Sequence, residues 1–236
     1  MEKYRMIAKI AAESLVPVSI CARLPAGPRS LPIVAAALPE GLPSRRCRSS
    51  SLGLVSALTV RIRAAGPDEA AAIAALHSES WRSAYRGILP DALLDGPLEL
   101  ERARHWRDVL AGVMADDAIL VAEQRAALVG FIAVFAKGEP GFGAVIDNLH
   151  VRPALKGGGI GRRLLGAAAE RFAAAGTTAL HLWVYDANRP TLAFYEKLGG
   201  VVEERGLERN GDLEIPHSRV VWRDLAALAA RCRAKS

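Results

Sequence analysis

The sequence predicts a mixed α/β (α+β) domain, and three observations carry that prediction. An apolar, largely β-branched run over 145–151 leads through a glycine-rich loop into a helical pattern over 160–174. Two pairs of apolar runs read as hairpins: 118–123 with 127–135 about a short polar turn at Gln124-Arg125, and 201–207 with 215–222 about the turn dipeptide Asn210-Gly211. Upstream, apolar residues recur at helical spacing over 70–85 and again over 98–113.

The central run is the most informative. Val145, Ile146, Leu149 and Val151 suit a buried strand, and Pro153 ends it because it has no N–H for a ladder. Gly157, Gly158, Gly159 and Gly161 allow positive φ and close approach of a ligand to the backbone. Leu164, Leu165, Ala168 and Phe172 then share one helix face, so the loop opens onto a helix N-terminus. Free N–H groups and the helix dipole make such an end an anion site, and a phosphate-bearing ligand follows as the first expectation. A P-loop is excluded, since no Lys-Ser/Thr pair follows the last glycine. A dinucleotide fingerprint is excluded too: the glycine spacing is wrong, Leu164 stands at the third glycine position, and no carboxylate lies near His181.

Composition narrows the class. The 236 residues are 51% hydrophobic, enough for one domain with a substantial core. The net charge of +6 is unevenly spread: residues 1–57 hold eight Lys/Arg against three Asp/Glu, and the remainder is nearly neutral. The basic balance therefore belongs to the leader and argues against a nucleic-acid-binding face. Cys21, Cys47 and Cys232 form neither metal spacing nor a disulfide framework, so no metal is expected and a reducing cytoplasm is the expected setting. Residues 1–57 are interrupted by six prolines and hold no apolar run long enough for a membrane span. They read as a disordered basic leader, with an organellar transit peptide or a start site placed too far upstream as alternatives.

The domain is expected over 58–224, with 225–236 as a tail. Residues 58–63 alternate apolar and basic as a half-buried strand does. The first helix places Ala70, Ile73, Ala74, Leu76 and His77 on one face and runs on to Trp81 and Tyr85. The second places Leu100, Ala103, Trp106 and Leu110 inward, with Arg102, Arg104 and Asp108 outward. A strand over 179–185 precedes a helix started near Asn188 with Pro190 in its first turn.

Lys156-Gly-Gly-Gly-Ile-Gly161 resembles the acyl-CoA loop of the GNAT superfamily of N-acetyltransferases, [Arg/Gln]-x-x-Gly-x-[Gly/Ala], with lysine for the usual Arg/Gln. Asn188 through Ala193-Phe-Tyr195-Glu-Lys-Leu-Gly199 is similar to a second block of that family. Gly200 departs from it, standing where the family shows an aromatic. The 81–91 segment resembles the acceptor-pocket region of one bacterial subgroup.

The resemblance implies a mixed, mainly antiparallel central sheet flanked by helices, and acetyl transfer from acetyl-CoA to a primary amine. The backbone of Leu149, His150 and Val151 would grip the pantetheine arm. The loop (Lys156, Gly157, Gly158, Gly159, Ile160, Gly161, Arg162) would hold the pyrophosphate, and Asn188 would contact the cofactor arm. Tyr195 would protonate the departing thiolate, which suits a phenol that is neutral at pH 7. Trp81 and Tyr85 would line the acceptor pocket, or serve as packing aromatics. Many members carry a glutamate where this chain has Val145. Asp147, on the same strand face, is the candidate base, or else a carboxylate that orients the acceptor's ammonium. His150 is expected on the opposite face. The acceptor is a small-molecule or peptide amine, with no nucleic acid and no membrane as partner, and a homodimer is compatible with the family. A catalytically silent acyl-CoA-binding module is the alternative reading.

Overall fold

The computed structural model describes residues 59–210 and 213–234, so the readings for 1–57 lie outside the described residues. Seven strands form one sheet in the order β1-β2-β3-β4-β5-β7-β6. They are β1 (Arg61–Ala64), β2 (Ala118–Gln124), β3 (Ala127–Phe135), β4 (Ala144–Val151), β5 (Leu180–Tyr185), β6 (Val201–Asn210) and β7 (Leu213–Trp222). β4 and β5 run parallel and the other neighbours antiparallel. The helices are α1 (Ala70–Tyr85), α2 (Asp91–Asp95), α3 (Leu98–Ala111), α4 (Ile160–Ala174), α5 (Arg189–Lys197) and α6 (Leu225–Arg233).

Both faces of the sheet are covered, which is why β2 and β3 read as unbroken apolar runs. Leu120, Ile132 and Val134 point to the layer holding α4 and α6. Ile119, Val121, Phe131 and Ala133 point to α1 and α3. The expected hairpin at 118–135 forms, and its turn falls at Arg125 and Ala126, with φ of 53° and 60°. The second hairpin pairs out to Asn210 opposite Leu213, and its expected turn residue Gly211 lies outside the described residues.

Two expectations are corrected. On α3 the buried face is Leu98, Arg102 and Trp106, while Leu100 is 55% exposed. Trp106, fully buried, sets the helix phase, and residues four apart share a face, so the position between Leu98 and Trp106 must turn inward. Residues 225–236, read as a tail, carry α6. Asp224 caps that helix by accepting the Ala227 N–H at 2.8 Å. Leu225, Leu228, Ala229 and Cys232 join the core of the α4 layer. Gly166 lets α6 come close, since a Cβ there would stand 2.7 Å from Cys232 Cβ. Burial pushes the Cys232 thiol up to about 11, as suits a packing residue.

Gly200 keeps its place for a packing reason. A Cβ at this position would lie 2.4 Å from Val220 Cγ1 and 2.9 Å from Trp222 Cζ2. Trp222 occupies the space an aromatic at 200 would need, and donates its indole N–H to the Leu198 carbonyl at 3.2 Å.

Candidate active site

The site begins where the sheet opens. β4 and β5 pair at Ala144 opposite Leu180 and at Val145 opposite His181, and the ladder stops there. From Ile146 to Val151 the β4 edge that faces β5 has no strand on it, while its other edge is paired to β3 up to Val151. The result is a wedge with one wall of unpaired backbone groups, which an extended amide-bearing chain can join as an added strand.

A β-bulge lies on the same strand. Ala133 pairs Asn148 while Val134 pairs Ile146, so Asp147 is the extra residue. Ile146, Leu149 and Val151 face the α4 layer. Val145 packs in the α1 layer, and beyond the bulge His150 joins it there, against His77 and Phe131 at 4.5 and 5.3 Å between ring centroids. The expectation that His150 lies opposite the Val145 face is thereby corrected, because the added residue reverses the alternation. His150 Nδ1 lies 3.0 Å from Ser80 Oγ, and burial pulls the ring down to about 3. It is a neutral, positioned imidazole. Asp147 is exposed, and one of its oxygens accepts the Asn148 side-chain amide at 2.6 Å.

At the mouth of the wedge, Pro153–Leu155 forms a short 3₁₀ turn, and Gly157 and Gly159 take φ of 81° and 78°. Gly159 is the residue before α4. Among the described residues, no backbone acceptor meets the amides of Gly157, Gly159, Ile160 or Gly161. A Cβ at Gly157 would meet nothing within 4 Å, so the chain itself leaves that space open. Gly161 touches both walls: a Cβ there would lie 3.6 Å from Val151 Cγ2 and 3.7 Å from Phe194 Cζ. Lys156 and Gly158 are exposed, whereas the Ile160 side chain is buried in the core. Arg162 donates to the Ala234 carbonyl, so its guanidinium reaches toward the end of α6.

The second wall carries Asn188 and Tyr195. Asn188 precedes α5, and its main-chain carbonyl accepts the N–H groups of Thr191 and Leu192 at 3.1 Å. Its side-chain amide does not serve as the helix cap. Tyr195 is 6% exposed, with its ring against Phe194 and Trp222 at 5.3 and 5.6 Å. Burial, and to a smaller degree Tyr85, raises its phenol well above the ordinary value, so it holds its proton across the neutral range.

An aromatic cluster joins the end of α1 to the end of β5. Trp81 meets Tyr85 edge to face at 5.4 Å, and Tyr85 meets Tyr185 at 5.6 Å. Burial pushes the Tyr85 phenol up to about 12. Tyr185 donates its hydroxyl to Glu208 Oε2 at 2.9 Å. Arg102 lies with its guanidinium carbon 4.2 Å above the Trp81 ring. Sequence reasoning missed Arg102, Ser80, Tyr185 and Glu208. The spacing Leu98, Arg102, Trp106 is the one signal that pointed to the first of them. Among the described residues, no group of three or more His, Cys, Asp or Glu side chains is placed to hold a metal ion.

The comparisons with known proteins agree with this geometry. An "IAA acetyltransferase" from Azospirillum brasilense is 37% identical over 106 residues, 44% of this chain and 67% of that protein. An uncharacterised N-acetyltransferase from Bacillus subtilis, YuaI, is 26% identical over 175 residues, 72% of this chain and 96% of its own. In fold, the chain is similar to the PaiA N-acetyltransferase of Thermoplasma acidophilum, crystallised in complex with coenzyme A. That likeness has a TM-score of 0.56 and 21% identity, and covers 68% of this chain and 98% of that one. The family model described as "Acetyltransferase (GNAT) family" matches residues 74–200, more than half of the sequence, and the chain belongs to that family of acyltransferase enzymes.

Proposed function

We propose that the protein transfers an acetyl group from acetyl-CoA to a primary amine held against the aromatic cluster of Trp81, Tyr85 and Tyr185. The observation that carries this reading is the wedge between β4 and β5, with unpaired backbone on one wall and α5 meeting Val151 across Gly161 at its mouth. The residues fit such a ligand. The unpartnered amides of Gly157, Gly159, Ile160 and Gly161, with the dipole of α4, suit a pyrophosphate. The backbone of Leu149, His150 and Val151 suits the pantetheine amides, and Asn188 offers a side-chain amide to the same arm. Acetyl-CoA supplies the activated thioester. Tyr195 gives a proton to the leaving sulfur, Asp147 accepts one from the acceptor amine directly or through water, and Trp81 and Tyr85 exclude water around that amine. Cys232, free and buried, suits a reducing cytoplasmic setting.

Thiol release from acetyl-CoA, measured against a panel of alkylamines, amino acids, peptides and aminoglycosides, tests the reading. Turnover with at least one amine is expected. Tight acetyl-CoA binding by calorimetry with no turnover on any acceptor would leave a silent binding module instead. Unchanged affinity after Gly159→Val with Gly161→Leu would remove the loop from the site.

A further inference from the structure

Resting on the acetyltransferase reading, we propose that the acceptor is an aminocarboxylate: Arg102 takes its carboxylate and Glu208 its ammonium. The starting point is a buried guanidinium without hydrogen-bond partners. Arg102 is 2% exposed, and among the described residues neither a hydrogen bond nor an ion pair reaches its guanidinium. Nε and Nη2 are enclosed and unpartnered, and the Trp81 ring covers one face of the group. A buried lysine or histidine escapes such a position by losing its proton, whereas arginine does not. Burial pulls Arg102 down to about 10 against the weaker attraction of Glu101 and Asp147, neither of which bonds to it, and the group stays cationic at neutral pH. Buried guanidinium N–H groups without a hydrogen-bond acceptor are satisfied by an anion that arrives with a ligand.

The far end of the aromatic cluster carries a complementary unpartnered acceptor. Glu208 Oε2 accepts the Tyr185 hydroxyl, while Oε1 is enclosed and has no partner. Three rings lie between the two charges: Trp81 beneath Arg102, Tyr185 bonded to Glu208, and Tyr85 touching both. Tyr85, in the middle of that row, is near enough to both for Glu208 to raise its phenol and Arg102 to lower it. Tyr195, the proposed acid, in turn feels Tyr85. A cation at one end, a carboxylate at the other and an aromatic floor between them match a zwitterion. They do not match a polycation such as a polyamine or an aminoglycoside, whose second charge would meet Arg102.

The test compares α-amino acids and straight-chain ω-amino acids with their own carboxamides in the thiol-release assay. Carboxylates are expected to exceed carboxamides in kcat/KM by about tenfold or more, since a site built for a charged partner discriminates strongly against its loss. Arg102→Met keeps the stem over Trp81 and removes the charge. It should abolish the preference by lowering the carboxylate rate far more than the carboxamide rate. Glu208→Gln, which keeps an acceptor for Tyr185, should lower both. A thermal-shift arm without acetyl-CoA separates this proposal from the transferase reading: the best aminocarboxylate should raise the Tm of the wild type and not of Arg102→Met. Equal rates for carboxylate and carboxamide would overturn the proposal while leaving acetyl transfer intact. So would turnover confined to carboxylate-free amines, or an Arg102→Met Tm several degrees below wild type with the preference unaltered. Absence of both turnover and thermal shift with every aminocarboxylate would overturn it as well.

Discussion

His150 Nδ1 stands 3.0 Å from Ser80 Oγ, joining β4 to α1 across a strand that strict alternation would have turned the other way. The bulge at Asp147 makes that contact, and His77 stacks beside it at 4.5 Å. His77 Nδ1 accepts the Trp106 indole N–H at 3.0 Å, which fixes the proton of the neutral ring on Nε2.

These two histidines give the fold an acid-sensitive seam. Burial, ahead of the neighbouring charges, holds His77 well below its ordinary value and His150 at about 3. The unfolded chain takes up protons near pH 6.5 and the folded chain does not, so the stabilisation is complete above that pH. Below it, each pH unit removes up to about 1.4 kcal/mol for His77 alone. Tm should therefore fall steadily from pH 6.5 to pH 5 and stay level from 7 to 8. His77→Gln, which keeps an acceptor for Trp106, should flatten that fall, and an unchanged slope would clear His77 of the effect.

The loop glycines separate strain from ligand contact. Gly157→Ala places a methyl where no protein atom lies within 4 Å, at a φ of 81°. The cost to stability is that of the left-handed conformation, about 1 kcal/mol. Any loss of acetyl-CoA affinity beyond this arises from the methyl meeting the ligand. Calorimetry on the folded variant should show affinity falling about tenfold or more while Tm drops by only a few degrees; equal affinity would show that the ligand passes Gly157 at a distance.

Gly200→Ala is expected to be the more damaging change to the fold. Its methyl has no space beside Val220 and Trp222, both fully buried or nearly so. Overpacking of this kind costs about 1–3 kcal/mol. Since Trp222 also packs on Tyr195, kcat should fall along with Tm. A chemical-denaturation midpoint equal to wild type would show that Trp222 can move aside.

How much of this was legible beforehand follows the physics of each signal. The glycine loop, α4 and the Asn188–Tyr195 block could be read because φ > 0, helix periodicity and turn chemistry are local properties. The tight turn at Arg125–Ala126 was placed one residue early, since neither residue belongs to the Asn-Gly class that marks such turns. His150 was assigned to the wrong face because a bulge is a relation between two strands, and β4 alone carries no sign of it. Arg102 was turned outward on residue type. Its burial follows from the phase that Trp106 imposes on α3. Glu208 lies 23 residues beyond Tyr185, and only the pairing of β7 with both β5 and β6 brings them together.

Tyr195 is the residue on which the proposed chemistry turns most sharply. Its ring is fixed by Phe194 and Trp222, so Tyr195→Phe removes an oxygen and leaves the packing intact. If the phenol protonates the leaving sulfur, kcat should fall by about a hundredfold, with acetyl-CoA affinity and Tm nearly as in wild type. The loss should also depend on the leaving group: an acyl thioester of a more acidic thiol needs less protonation and should narrow the gap between variant and wild type. A residue that only packs would give equal turnover with both thioesters. A residue that only binds would raise KM and leave kcat where it was.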